Sequence, residues 1–108
     1  MGKFAAFFEK YDRLVLFDTE TTGLFFQRDE IIEFAAVVVE NRGGEAVVTR
    51  EYDELIALTP GNSVPPKIEQ LTGISTQDLL ERGIPKEQVC SDITDMLQGN
   101  TLLLAYNA

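Results

Sequence analysis

Four consecutive apolar residues, Leu14, Val15, Leu16 and Phe17, run without a break into the acids Asp18 and Glu20 and the turn residues "TTG". A short, continuous apolar run of this kind reads as a strand buried on both faces. Such a strand must lie inside a sheet that helices cover, which confines the chain to an α/β architecture. The remaining segments supply the neighbours. Residues 31–39 are rich in β-branched side chains and read as a second strand. "ENRGGE" is a glycine-rich turn into a third strand at 46–52, so these two form a hairpin. "LTPGNSVPP" is a loop. Pro66 opens a helix "KIEQLTG" that Gly73 stops. Ser75 or Thr76 caps a second, "QDLLERG", which ends at Gly83. Pro85 opens a third, with Val89, Ile93, Met96 and Leu97 on one face and Gly99 at its end. "TLLLAY" returns to strand character.

The order strand, strand, strand, helices, strand predicts a mixed sheet: three antiparallel strands, a right-handed helical crossover, and one strand parallel to an earlier one. The sequence stops two residues after that last strand. The expectation is therefore a single domain portion over residues 1–108, cut before the helices that would cover the strand.

Asp18 and Glu20 are one residue apart. If the strand continues through them, their carboxylates leave it on the same side. Two carboxylates so close repel, and one takes up a proton unless a cation lies between them. Mg²⁺ suits such oxygen ligands, and two ions about 3.5–4 Å apart can clamp the attacking and leaving oxygens of a phosphodiester. Taken alone, an Asp-x-Glu pair also reads as a solvated turn in which Thr19 or Thr21 bonds the local backbone.

The longer stretch decides between these. "FDTETTG" after an apolar strand resembles the first motif of the DEDD exonucleases, the family of the proofreading subunit of bacterial DNA polymerase III. "DEIIEFAAVVV" resembles that family's second strand, "IEQLTGIS" its helix-ending segment, and "LLLAYNA" the start of its second motif. The resemblance covers nearly the whole chain from Arg13 onward and implies a ribonuclease H-like fold. It implies that Asp18 and Glu20 are catalytic metal ligands for Mg²⁺ or Mn²⁺, two ions in the intact domain. Two further aspartates and a His or Tyr base come from later motifs in the family. The chain ends before either aspartate and has no histidine, so it is expected to be inactive by itself, while the intact parent removes nucleotides from the 3′ end of single-stranded or frayed DNA. Tyr106 precedes Asn-Ala and is not that base. An RNA-directed relative, or a non-catalytic interaction module, is the alternative.

By the same resemblance Thr19, Thr21, Thr22 and Gly23 form a turn that contacts the terminal nucleotide, partly through backbone N–H groups, and Leu24 presses on the terminal base. Shaping the turn is the competing role for the four, and a place in the core the competing role for Leu24 and Phe25. Glu33, inside an apolar strand, is either a partner of the acid site or solvent-facing. Asn107 caps a following helix or orients a neighbouring acid.

Composition bounds the partners. Lys and Arg number 9 against 18 Asp and Glu, a net charge of −9, which opposes a broad non-specific grip on nucleic acid. It leaves room for a site where cations neutralise carboxylates before meeting a phosphate. Cys90 is the single cysteine, so no internal disulfide forms, and a reducing, cytoplasmic home is expected. No apolar run is long enough to span a bilayer. The opening residues lack a signal-peptide core, and Ala6 breaks a myristoylation pattern. A replicative polymerase is the expected partner. The apolar "TLLLAY" edge, left uncovered, is expected to drive self-association.

Overall fold

The computed structural model describes residues 9–25 and 27–105. Its elements are strands β1 (Arg13–Thr21), β2 (Ile31–Arg42) and β3 (Glu45–Leu55), helices α1 (Pro66–Thr72), α2 (Thr76–Arg82) and α3 (Lys86–Met96), and strand β4 (Thr101–Ala105). The sheet order is β3-β2-β1-β4. β4 runs parallel to β1, pairing Arg13 with Thr101 through Phe17 with Ala105. This is the mixed α/β sheet expected from the pattern. Each of the first three strands is longer than its apolar stretch, because paired backbone continues where side chains turn polar. Leu97 lies beyond the last helix rather than in it. Tyr106 and Asn107 lie outside the described residues. No helix among those described is long and apolar enough to cross a membrane.

Local chemistry explains the boundaries. β2 and β3 are joined by Gly43 and Gly44, both at positive φ (63° and 90°), as a two-residue turn matching the strand twist requires. Gly73 ends α1 in the left-handed conformation, its N–H donating to Glu69 O, a backbone shape that costs glycine nothing. Of the two cap candidates for α2, Ser75 takes the role in a reciprocal capping box with Asp78. Thr76 instead accepts the Val64 N–H, at 2.8 Å. The Ser75 N–H and hydroxyl hold the Asp78 carboxyl below its ordinary range.

By packing, the chain divides into two compact units. The first holds residues 1–18, 35–52 and 91–108. Its buried side chains include Leu14 and Val15 of β1, Ala36, Val38 and Val39 of β2, and Met96 at the end of α3. Arg13 ties strand to helix here. Its Nη1 donates to Met96 O (3.1 Å) and Gln98 O (3.2 Å), so a cation meets the negative end of the helix dipole. Its Nη2 lies 3.8 Å from Glu40 Oε1. The Thr49 hydroxyl holds the Glu40 carboxyl below the usual carboxylate range against the opposing effect of burial, with help from Arg13 and Arg42.

The second unit, residues 19–34 and 53–90, has a core of Ile32, Val64, Ile74 and Leu79, with Leu55, Leu58 and Ile68 packed against it. Gly83 allows the close approach of two segments. A Cβ there would sit 2.4 Å from Leu79 O and 2.8 Å from Ala57 N, where Ala57 N–H meets Ile84 O at 2.9 Å. Glu30, with a side chain only 13% exposed, fastens the loop after β3. Its Oε1 accepts from the Thr59 N–H (3.0 Å), the Thr59 hydroxyl (2.9 Å) and Lys86 Nζ, and its Oε2 accepts from Asn62 Nδ2 (2.6 Å). Burial pushes this carboxyl up, but Lys86, Asn62 and Thr59 outweigh it and hold the pKa at about 2, against an ordinary 4.5.

A depressed carboxyl stabilises the fold at full strength above its unfolded value and loses that contribution as pH falls through the folded value. For Glu30 the window runs from pH 4.5 down to about 2. The shift corresponds to about 3 kcal/mol, and the partly exposed Lys86 ammonium reduces this to about 2 kcal/mol. Denaturant unfolding of Glu30→Gln at pH 7 should therefore show a loss of about 2 kcal/mol, with a flatter stability profile between pH 4.5 and 2. Equal pH profiles for the two proteins would show that the network contributes nothing.

Candidate functional site

β1 continues through the acids to Thr21, so Asp18 and Glu20 do leave the strand on the same side. Both are half-buried, as are Thr19 and Thr21. Parallel pairing of Phe17 with Ala105 puts Asp18 one residue beyond the last described β1–β4 pair, toward the carboxyl end of β1, the end of parallel strands where open α/β sheets receive ligands. The Glu20 side chain has no ion pair or hydrogen bond among the described residues. Two oxygen donors of one charge, set side by side, fit part of the coordination shell of a hard divalent cation. No group of three or more His, Cys, Asp or Glu among the described residues is placed to hold a metal. Glu33 belongs to no such group. It sits on the half-buried face of β2, alternating with the buried Ile32 and Phe34.

Beyond β1 the chain makes a turn built around an acid that sequence reasoning passed over. Asp29 accepts the Phe25 N–H on Oδ2 (2.8 Å) and the Thr22 hydroxyl on Oδ1 (3.2 Å). The Thr22 hydroxyl accepts the Glu30 N–H in turn (2.9 Å), and the Thr22 N–H donates to Glu30 O (2.9 Å). Thr22 is buried, with its hydroxyl and amide both engaged, so it holds the turn from within rather than offering a hydroxyl to a ligand. The Thr21 hydroxyl donates to Gly23 O at 2.7 Å.

Gly23 and Leu24 form the outer edge of this turn. Neither N–H has a hydrogen bond among the described residues. Leu24 is 97% exposed and Phe25 65% exposed, which removes the reading of either as core. Phe25 carries the Arg28 guanidinium 4.8 Å from its ring centre, a cation–π contact. Beside the turn lies a cavity of about 320 Å³, lined in part by Thr22, Asp29, Glu30, Asn62 and Ser63. The exposed leucine was visible in sequence as an apolar residue after a turn glycine. The organising role of Asp29 was not, because its partners Thr22 and Phe25 are set by the path of the turn rather than by any local sequence signal.

The profile of the exonuclease family RNase_T matches residues 15–108. The chain is 41% identical over 96 residues to the 3′-5′ exonuclease DinG of Bacillus subtilis (strain 168), covering 88% of this chain and 10% of that protein. It is 35% identical over 92 residues to DNA polymerase III subunit epsilon of Treponema pallidum (strain Nichols), covering 85% of this chain and 39% of that one. Among solved structures, E. coli Exonuclease I in complex with a dT13 oligonucleotide aligns with a TM-score of 0.74 at 20% identity, over 89% of this chain and 20% of the other. That likeness establishes a shared fold, the ribonuclease H-like exonuclease fold. The chain thus spans well under half the length of these relatives.

The turn makes a measurable prediction. In amide hydrogen exchange the Gly23 and Leu24 N–H groups should exchange near their intrinsic rates, while those of Thr22 and Phe25 should be protected by about tenfold or more. Equal protection of all four would mean that the turn is not held as described.

Proposed function

The chain belongs to the RNase_T exonuclease family, and from that premise we propose that it contributes the first two acids of a 3′–5′ exonuclease site that hydrolyses the terminal phosphodiester bond of DNA. The observation that carries this reading is the pair Asp18 and Glu20, set on one side of β1 toward its carboxyl end, beyond the last described pairing with β4. In this role the two carboxylates hold divalent cations, Mg²⁺ or Mn²⁺, two in the complete site. When bound, such ions supply charge stabilisation at a phosphoryl group and favour deprotonated water. Glu20, whose side chain has no competing partner among the described residues, is poised to bind a cation.

The neighbouring turn handles the substrate. Unpaired amides at Gly23 and Leu24 suit the phosphate or sugar oxygens of a 3′-terminal nucleotide, and the exposed Leu24 packs on its base. Thr19 lines the strand between the acids, while Thr21 and Thr22 keep the turn in shape. A net charge of −9 keeps duplex DNA from adhering broadly, which favours a single-stranded or frayed end presented to the site. Proofreading beside a replicative polymerase is the context we favour, given the likeness to a polymerase III epsilon subunit. A single cysteine fits a reducing cytoplasm.

The test is made on the full-length protein. Asp18→Ala or Glu20→Ala should lower chelator-sensitive 3′–5′ degradation of single-stranded DNA by several orders of magnitude, since each 1.36 kcal/mol of lost transition-state stabilisation costs about tenfold. Mn²⁺ relaxation enhancement near Asp18 should vanish in the double variant. Full activity without both acids would overturn the reading. Degradation of RNA in preference to DNA would move it to the RNA-directed branch, and no nuclease activity under any metal would favour an interaction module.

Self-association of the 108-residue chain is a further part of the reading. β4 lies at one edge of the described sheet, and its Leu103 is 43% exposed. An unpaired apolar edge templates pairing with another copy. Sedimentation should show a dimer that Leu103→Lys shifts toward monomer. A monomer at high concentration would remove this part alone.

A further inference from the structure

We propose that Asp29 is a positioning residue of the exonuclease site: its carboxylate sets where Leu24 stands against the 3′-terminal nucleotide. The inference rests on the exonuclease reading above and deepens it. Three observations meet at this carboxylate. Its side chain is only 10% exposed, so its bonds form away from competing water. Its two oxygens reach both flanks of the Leu24 turn, Oδ1 taking the Thr22 hydroxyl (3.2 Å) and Oδ2 the Phe25 N–H (2.8 Å). The segment between those flanks is Gly23 and Leu24, the part with unpaired amides and a fully exposed leucine. Arg28 Nε lies 3.6 Å from Oδ1 but is itself mostly exposed, so it adds little.

The third observation concerns space. A Cβ on Gly23 would fall 2.4 Å from Asp29 Oδ2 and 2.7 Å from Cγ. The acid therefore occupies the volume that any side chain at position 23 would need. Gly23 and Asp29 form one fitted unit: the glycine admits the carboxylate, and the carboxylate fixes the turn that presents Leu24. An exposed leucine held by nothing would lose much of its contact energy to ordering on binding. Held by Asp29, it is preorganised.

Asparagine can replace the acid here without losing geometry. Its Oδ1 can accept the Phe25 N–H, and its Nδ2 can donate to the Thr22 hydroxyl oxygen. Alanine can do neither. In the full-length protein, with single-stranded DNA as substrate, Asp29→Ala should raise KM by about tenfold with kcat changed by less than about threefold, because the β1 acids are untouched. Asp29→Asn should restore KM to near the parent value. Gly23→Ala, which expels the carboxylate, should reproduce Asp29→Ala. Adding Asp29→Ala to Leu24→Ala should raise KM no further than Leu24→Ala alone, since the acid acts through the leucine.

Additive effects in that last pair, or no rescue by asparagine at matched thermal stability, would overturn the proposal and leave Asp29 a stabilising residue only. Asp18→Ala with Glu20→Ala is measured alongside. If that variant keeps full activity, the exonuclease reading fails. If it loses activity while Asp29 and Leu24 act additively, the positioning role alone fails.

Discussion

The parallel pairing of β1 with β4 is the constraint on which the fold depends. Two parallel neighbours cannot be joined by a tight turn, so the chain must travel from one end of the sheet to the other before it can return. Residues 56–100 make that journey, carrying all three helices and the loop that Glu30 fastens. The pairing also makes β1 an interior strand, flanked by β2 and β4, which is why Leu14 and Val15 are both buried despite pointing to opposite faces. The acid pair then falls beyond the last described β1–β4 pair, and polar side chains there are only half-buried. β2 still lies beside β1 there, since the Thr22 N–H meets Glu30 O just beyond both strands.

Much of this was legible in the sequence because local signals and the global fold agree. The apolar run, the β-branched stretch, the Gly-Gly turn and the stop at Gly73 each name an element by mechanism, and each appears where named. Strand ends were less legible. "DTET" mixes acids that disfavour strands with threonines that suit them, and it belongs to β1 because hydrogen bonding to neighbours decides where side-chain preference is divided. The acid pair was legible only as part of a seven-residue motif. The polar groups that shape the turn were not legible at all. Asp29 and Glu30 are adjacent acids in a charged stretch, and nothing nearby shows that one will bind Thr22 and Phe25 while the other binds Thr59, Asn62 and Lys86. Their partners are fixed by tertiary placement.

These two acids divide the labour of the loop region. Glu30 fastens the loop after β3 with three hydrogen bonds and Lys86 with a fourth, a charge-assisted network. Asp29 looks inward and fastens the turn itself. Glycines stand where neighbours approach closely, at Gly23 and Gly83: one admits a carboxylate, the other the backbone of the loop after β3 at Ala57. Rigid loops built in this way give a site on loops the precision otherwise associated with helices and strands.

Arg13 bonds carbonyls that lie 83 and 85 residues further along the chain. During synthesis β1 therefore emerges long before the strand and helix end that complete it. At cellular elongation rates that interval is on the order of ten seconds, far longer than the microseconds a hairpin such as β2–β3 needs to form. The nascent chain must hold an apolar strand in waiting, paired on one side only, until β4 arrives. The hairpin offers that one side early, so the order of elements along the chain shelters a strand that the finished sheet flanks on both sides.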